Sequence, residues 1–163
     1  MKQFLLICIL MVINSKSFSQ TDSLAPYQQF PFIPPFKIQL SDSSWFSKYA
    51  LSDKKPTWVI YFSPDCGHCQ QITEEIISNI RSLKQIQIVM IASRPFEDVK
   101  NFNDHFMIKR FSNIKVGVDP TRMISNFYKV QHTPFSALYD KKGDLIKAFK
   151  DAPTVYEIVK LAR

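Results

Sequence analysis

A single change of period constrains this chain more than any other feature. The stretch "TWVIYFS" (57–63) is a nearly continuous apolar and β-branched run, the pattern of a strand buried on both faces. From Cys66 onward the spacing turns helical: Ile72, Ile76, Ile77, Ile80 and Leu83 share one face, while Glu74, Glu75, Arg81 and Lys84 fall largely outside it. At the junction stands "CGHC" (66–69), two cysteines three residues apart around Gly67 and His68.

The rest of the chain repeats the alternation. "IQIVMIA" (86–92) predicts a second buried strand, and "PFEDVKNFNDHFMI" (95–108) a helix opened by Pro95 with acids in its first turn. "IKVGVD" (114–119) reads as a third strand and "TRMISNFY" (121–128) as a short helix. "PFSALYD" and "DLIKAFK" flank the turn "KKG" (141–143) as a hairpin, and "PTVYEIVKLAR" (153–163) closes as a helix. Ahead of the main pattern, "FKIQL" (36–40) alternates like a short edge strand, and "SDSSWFSKYAL" (41–51) predicts a capped helical turn or two. This order requires an α/β fold, with a central mixed sheet and helices on both faces. A length of 163 residues, 45% of them apolar, suits one such core and is short for two.

Residues 1–19 read as a signal peptide. Lys2 gives the positive start, "FLLICILMVI" (4–13) the apolar stretch, and Ser17 and Ser19 the small residues before a cleavage point. Ten apolar residues fall short of the ~20 that span a bilayer, so cleavage and a periplasmic or secreted destination are expected. Cys8 would leave with that segment, and Cys66 and Cys69 would be the only cysteines of the mature chain. Residues 20–35 form a Pro-rich, extended lead-in whose Tyr27, Phe30 and Phe32 predict packing against the domain at 36–163. Loss of Lys2 and Lys16 would take the net charge from +7 to +5. The basic residues are scattered, which argues against a nucleic-acid partner and leaves proximity to anionic membrane surfaces open.

The two cysteines suggest a reagent. Cys66 falls at the first turn of a helix, where unpaired N–H groups and the helix dipole favour a thiolate, so it is the expected nucleophile. Cys69 lies one turn deeper, within reach to form the intramolecular disulfide, and is the expected resolving thiol. Gly67 leaves the opening unobstructed. His68 can carry a positive charge that steadies the thiolate, while Asp65 opposes it. A zinc site usually takes four ligands, and His68, His105 and His132 are scattered, so neither a metal nor a cofactor is expected. A binding protein holding Cu(I) through Cys66, Cys69 and His132 is the alternative. Thr133-Pro134, just before the hairpin, suits a cis bond that would turn the backbone groups of Thr133 outward toward an extended substrate.

Taken together, the strand running into Cys66-Gly67-His68-Cys69, the Thr133-Pro134 before a hairpin and the final helix resemble the thioredoxin superfamily. The added strand and helix within 86–119, "VDPTR" (118–122) and "FSALYDKKGDL" (135–145) make residues 36–163 similar to the extracytoplasmic TlpA-like thiol-disulfide oxidoreductases. The resemblance implies a thioredoxin fold with a strand-helix insertion and an N-terminal extension. It implies Cys66 as attacking and Cys69 as resolving cysteine, with Thr133 and a cis Pro134 as the substrate-facing wall. It also implies partners that are protein thiols or disulfides, with a further redox partner that recycles the dithiol. The chain departs from the pattern at several places. Gly67-His68 resembles the pair of protein disulfide isomerase, Asp65 replaces the usual tryptophan, and Ile60 and Ile72 stand where family members place an acid. Ser63 and Val59 stand where a peroxidase carries its threonine and proline. The direction of electron flow stays open, and proton transfer falls to His68 or water.

Overall fold

Strand β3 (Thr57–Tyr61) is the axis of the fold, with Thr57 to Ile60 all buried. Its side chains serve two apolar layers: Trp58 and Ile60 join one, Val59 the other. The structure is a computed structural model describing residues 24–163, so the signal-peptide segment 1–19 lies outside the described residues. The other strands are β1 (Lys37–Leu40), β2 (Trp45–Ser47), β4 (Gln87–Ala92), β5 (Ile114–Val118), β6 (Phe135–Tyr139) and β7 (Leu145–Phe149). They form one sheet in the order β2-β1-β5-β4-β3-β6-β7. The centre, β3–β4 and β4–β5, is parallel, and every outer pairing is antiparallel. The expected mixed sheet is therefore present.

Helices cover both faces. The helices are α1 (Pro26–Gln29), α2 (Gly67–Ser78), α3 (Phe96–His105), α4 (Met123–Tyr128) and α5 (Val155–Leu161). Ile72 and Ile76 of α2, Val99 and Phe102 of α3, and Val155 and Ile158 of α5 pack with Trp58, Ile60, Ile88 and Met90 on one face. Ile124 and Tyr128 of α4 pack on the other with Val59, Val89 and Ile91, joined by Ile33, Phe36 and Ile38 from the N-terminal segment. Burying each of these large side chains stabilises the fold by roughly 1.5–3 kcal/mol, so two full layers are needed to hold a sheet apolar on both sides.

Several local expectations shift. "SDSSWFSKYAL" is not helical: Asp42 Oδ1 accepts from Ser44 N at 3.0 Å, making a tight turn from β1 into β2, and a single 3₁₀ turn (Lys48–Ala50) follows. The residues that suggested a helix cap serve a hairpin turn, which the same side-chain chemistry favours equally. β1 is consequently interior, between β2 and β5, and β2 is the edge. The lead-in is not extended throughout, since Pro26 opens the one-turn α1 at the position where proline costs a helix nothing. It does lie on the domain: Tyr27 meets Tyr128 and Phe135 at ring distances of 5.7 Å, and Leu145 N donates to Pro31 O at 2.7 Å. α3 stops at His105 because Met107 turns left-handed at φ 49°.

Candidate active site

The site lies where β3 hands over to α2. Phe62 N donates to Ile91 O at 3.0 Å, which holds the strand exit against β4, and Cys66 N donates to Ser63 O at 3.1 Å to close the turn. Cys66 is the N-cap of α2, one position earlier than a first-turn residue. Its backbone is extended, and its Sγ accepts from Cys69 N at 3.3 Å. Sulfur thus fills the place that a serine or aspartate oxygen usually takes, among unpaired N–H groups that favour negative charge. Cys69, one turn on, is fully buried beside Ile72 and Ile76. Cys66 and Cys69 are both thiols in this structure, and the expected disulfide between them is not formed here.

Facing Cys66 is the loop before β6. The Thr133–Pro134 peptide bond is cis, and Cys66 Sγ donates to Thr133 O at 3.3 Å. The two sulfurs differ sharply in acidity. Burial raises the Cys66 thiol, but hydrogen bonds to its sulfur from the Cys69 thiol, the Thr133 hydroxyl and the N–H groups of Cys69 and His68 outweigh it and hold the group below its ordinary 9.0. Cys69 moves the other way: burial above all, then its hydrogen bond to Cys66 and the charge there, push it up to about 12. At neutral pH one sulfur is primed and the other stays protonated.

The neighbours change the electrostatics expected from sequence. Asp65 does not confront the thiolate unpaired: Ser63 Oγ hydrogen-bonds its carboxylate, and Arg94 Nη2 pairs with it at 2.7 Å. The bond from Ser63 first, and the Arg94 charge with it, hold Asp65 below the usual carboxylate range. His68 is exposed, and its imidazole has no partner among the described residues; what it gives Cys66 is its backbone N–H. Nothing lies within 4 Å of where a Cβ on Gly67 would sit, so the approach over the motif is open. Ile60 and Ile72 are buried in the apolar cluster around Cys69. Glu74 is exposed, but Glu75 leaves the solvent face assigned to it: its Oε1 accepts from Val155 N at 2.7 Å and ties α2 to the start of α5. Among the described residues no three His, Cys, Asp or Glu side chains are placed to hold a metal, so the Cu(I) reading lacks its third ligand.

Three residues escaped the sequence reading: the hydroxyl of Thr133, and Arg94 and Arg122 at the ends of the loops after β4 and β5. The Thr133-Pro134 pair in the sequence points to the backbone of Thr133 and carries no separate signal for its hydroxyl. Arg122 carried a faint signal in "VDPTR", where Asp-Pro-Thr favours a side-chain-capped turn.

No family model and no curated protein matches the sequence. Solved structures do match. A secreted disulfide oxidoreductase of Mycobacterium tuberculosis, described as homologous to Escherichia coli DsbE, superposes with a TM-score of 0.65 at 18% identity, covering 78% of this chain and 93% of that one. The M. tuberculosis protein dsbF, in mixed oxidised and reduced forms, gives 0.64 at 18% over 78% and 92%. A peroxiredoxin-like protein of Aquifex aeolicus gives 0.64 at 14% over 79% and 82%. At these identities the likeness is one of architecture, and by it the chain has the thioredoxin fold.

Proposed function

We propose that this protein is a thiol-disulfide oxidoreductase that works outside the cytoplasm and exchanges disulfides with protein partners through Cys66 and Cys69. The observation that carries this reading is the placement of two thiols one helical turn apart, Cys66 capping α2 at the accessible end with its sulfur accepting from Cys69 N, and Cys69 buried behind it. In the reducing direction, the Cys66 thiolate attacks a substrate disulfide. A Cys66–substrate bond forms, the substrate bond breaks, and one substrate thiolate leaves. Cys69 then loses its proton and attacks Cys66 Sγ, forming the Cys66–Cys69 disulfide and releasing the second substrate thiol. The substrate gains two electrons and the dithiol loses two, and oxidation of a substrate is the same sequence reversed. Consumption of the Cys66 charge in the first step removes one of the influences that keep Cys69 protonated, so the second step follows the first.

Thr133 and cis Pro134 supply the wall against which an extended partner segment would lie, with Gly67 leaving the opposite side clear. A further redox partner recycles the dithiol. Export follows from the signal-like segment at 1–19, and no helix among the described residues is long and apolar enough to cross a membrane. The test is turnover of a protein disulfide together with trapping. Cys69→Ser should accumulate mixed disulfides that dithiothreitol releases, and Cys66→Ser should accumulate none. Equal trapping by both variants would sink the assignment of roles.

A further inference from the structure

A groove of about 480 Å³ lies between the end of β3 and the loops that follow β4 and β5 and precede β6. Two of its walls touch Cys66 directly: the Ser63 carbonyl accepts its N–H at 3.1 Å, and the Thr133 carbonyl accepts from its sulfur at 3.3 Å. Farther out the groove is lined by Ser93, Arg94, Arg122 and His132, and no carboxylate lines it.

The two arginines are not equivalent. Arg94 is already paired with Asp65. Arg122 has no ion pair or hydrogen bond from its guanidinium among the described residues, and it lines the same groove as Thr133. Its backbone is left-handed at φ 57°, a conformation uncommon outside glycine and asparagine. The buried carboxylate of Asp119 enforces it. Asp119 Oδ1 accepts from Thr121 N at 3.0 Å and Thr121 Oγ1 at 2.6 Å, while Oδ2 accepts from Ile124 N at 2.8 Å. Arg122 is therefore set in place by the loop it sits on. Behind the groove's wall the buried hydroxyl of Ser93 has no partner among the described residues. An unpaired cation thus lies on a groove whose Ser63 and Thr133 walls are bonded to the reactive cysteine.

We propose that this groove is an anion subsite that receives a carboxylate flanking the reacting sulfur of the substrate, with Arg122 as its counter-charge. The inference rests on Cys66 being the attacking thiol. The carboxylate has two sources of identical chemistry, an aspartate or glutamate beside a protein cysteine and the carboxylate of a small thiol such as glutathione. Arg122 touches no reacting atom. It is a specificity residue that raises the encounter rate and fixes the orientation of the incoming disulfide, while bond exchange at Cys66 proceeds as above.

The test is the second-order rate of the reduced protein with four disulfides: a Glu-flanked and a Lys-flanked cystine peptide of equal length, glutathione disulfide, and neutral hydroxyethyl disulfide. In about 0.15 M salt, where bulk charge is screened beyond ~8 Å, the Glu-flanked peptide should react about tenfold faster than the Lys-flanked one. Arg122→Asn, which suits a left-handed backbone, should abolish that preference and leave the neutral disulfide unchanged, and Arg122→Lys should recover part of it. Lys141→Gln, which removes the same charge at the β6–β7 turn, should leave the preference intact. Slowing of the peptide alone by Arg122→Asn assigns the subsite to polypeptides, and slowing of glutathione disulfide as well assigns it to any such carboxylate. An effect no larger than that of Lys141→Gln, or equal slowing of the neutral disulfide, overturns the subsite. Failure of every disulfide to react while Cys66 still alkylates overturns the oxidoreductase reading and the subsite with it.

Discussion

Cys66 and Cys69 are the same residue three positions apart, yet their chemistry is opposite because one caps a helix and the other is inside it. The hydroxyl of Thr133 contributes to that contrast, so Thr133→Val should raise the Cys66 pKa and slow iodoacetamide alkylation at pH 7 severalfold, with alkylation profiles against pH as the measurement. An unchanged profile would assign the low pKa to the helix alone. The two shifts also set how stability of the reduced form varies with pH. Cys66 lies below its unfolded value of 9.0, so its contribution is complete above pH 9 and is lost as pH falls through the folded value. Cys69 lies above, so its contribution is complete below pH 9 and is lost as pH rises toward about 12. A disulfide titrates neither group. The stability of the reduced form relative to the oxidised one should therefore peak near pH 9, and urea melts of both forms across pH 6–11 would show it. The buried tyrosine pair, Tyr128 and Tyr139, whose hydroxyls bond at 2.6 Å, is raised too, and because it lies in the apolar layer opposite Cys69 it should cancel from that difference.

Among the elements, the strand expected at the edge of the sheet and found inside it depends on one glycine. β1 pairs with β5 through Leu40 opposite Gly117, and a Cβ on Gly117 would stand 2.7 Å from Gln39 O. That oxygen is backbone and cannot step aside without breaking the pairing. Gly117→Ala should cost about 1–3 kcal/mol in chemical denaturation and should speed hydrogen exchange in β1 and β2 more than in β3. A neutral outcome would mean that β1 sits more loosely than this register requires. The β5–α4 connection is tied just as locally. Asp119→Ala would strand three donors, two of them backbone N–H groups, and should cost about 1–3 kcal/mol as well. The buried face of α2 was visible in its apolar spacing, but the helix stops at Ser78, short of the Ile80 and Leu83 that the spacing included, and its link to α5 was not visible, since Glu75 meets Val155 across 80 residues.

At the scale of the molecule, the N-terminal lead-in packs on the α4 face of the sheet, opposite α2. Tyr27 packs on Phe135, the residue after cis Pro134, so Tyr27→Ala should lower stability by about 1–3 kcal/mol in a thermal or urea melt. Mass spectrometry of protein recovered outside the cytoplasm should find a mature start near residue 20, and an intact Met1 there would refute cleavage. The sequence by itself determined the α/β class, the buried strands, the helix after β3 and the position of the dithiol. These rest on periodicity and on turn chemistry, which act over a few residues and are written locally. It misread 41–51, because Asp42 and Ser44 serve a helix cap and a hairpin turn equally well, and only pairing with β1 chooses between them. It also left the balance of charge at Cys66 open. Tertiary structure alone decided that, by bringing Arg94 from the next loop onto Asp65 and Thr133 from 67 residues away onto the sulfur. Electrostatic and hydrogen-bond effects depend on distance in space, which no local pattern in a chain encodes.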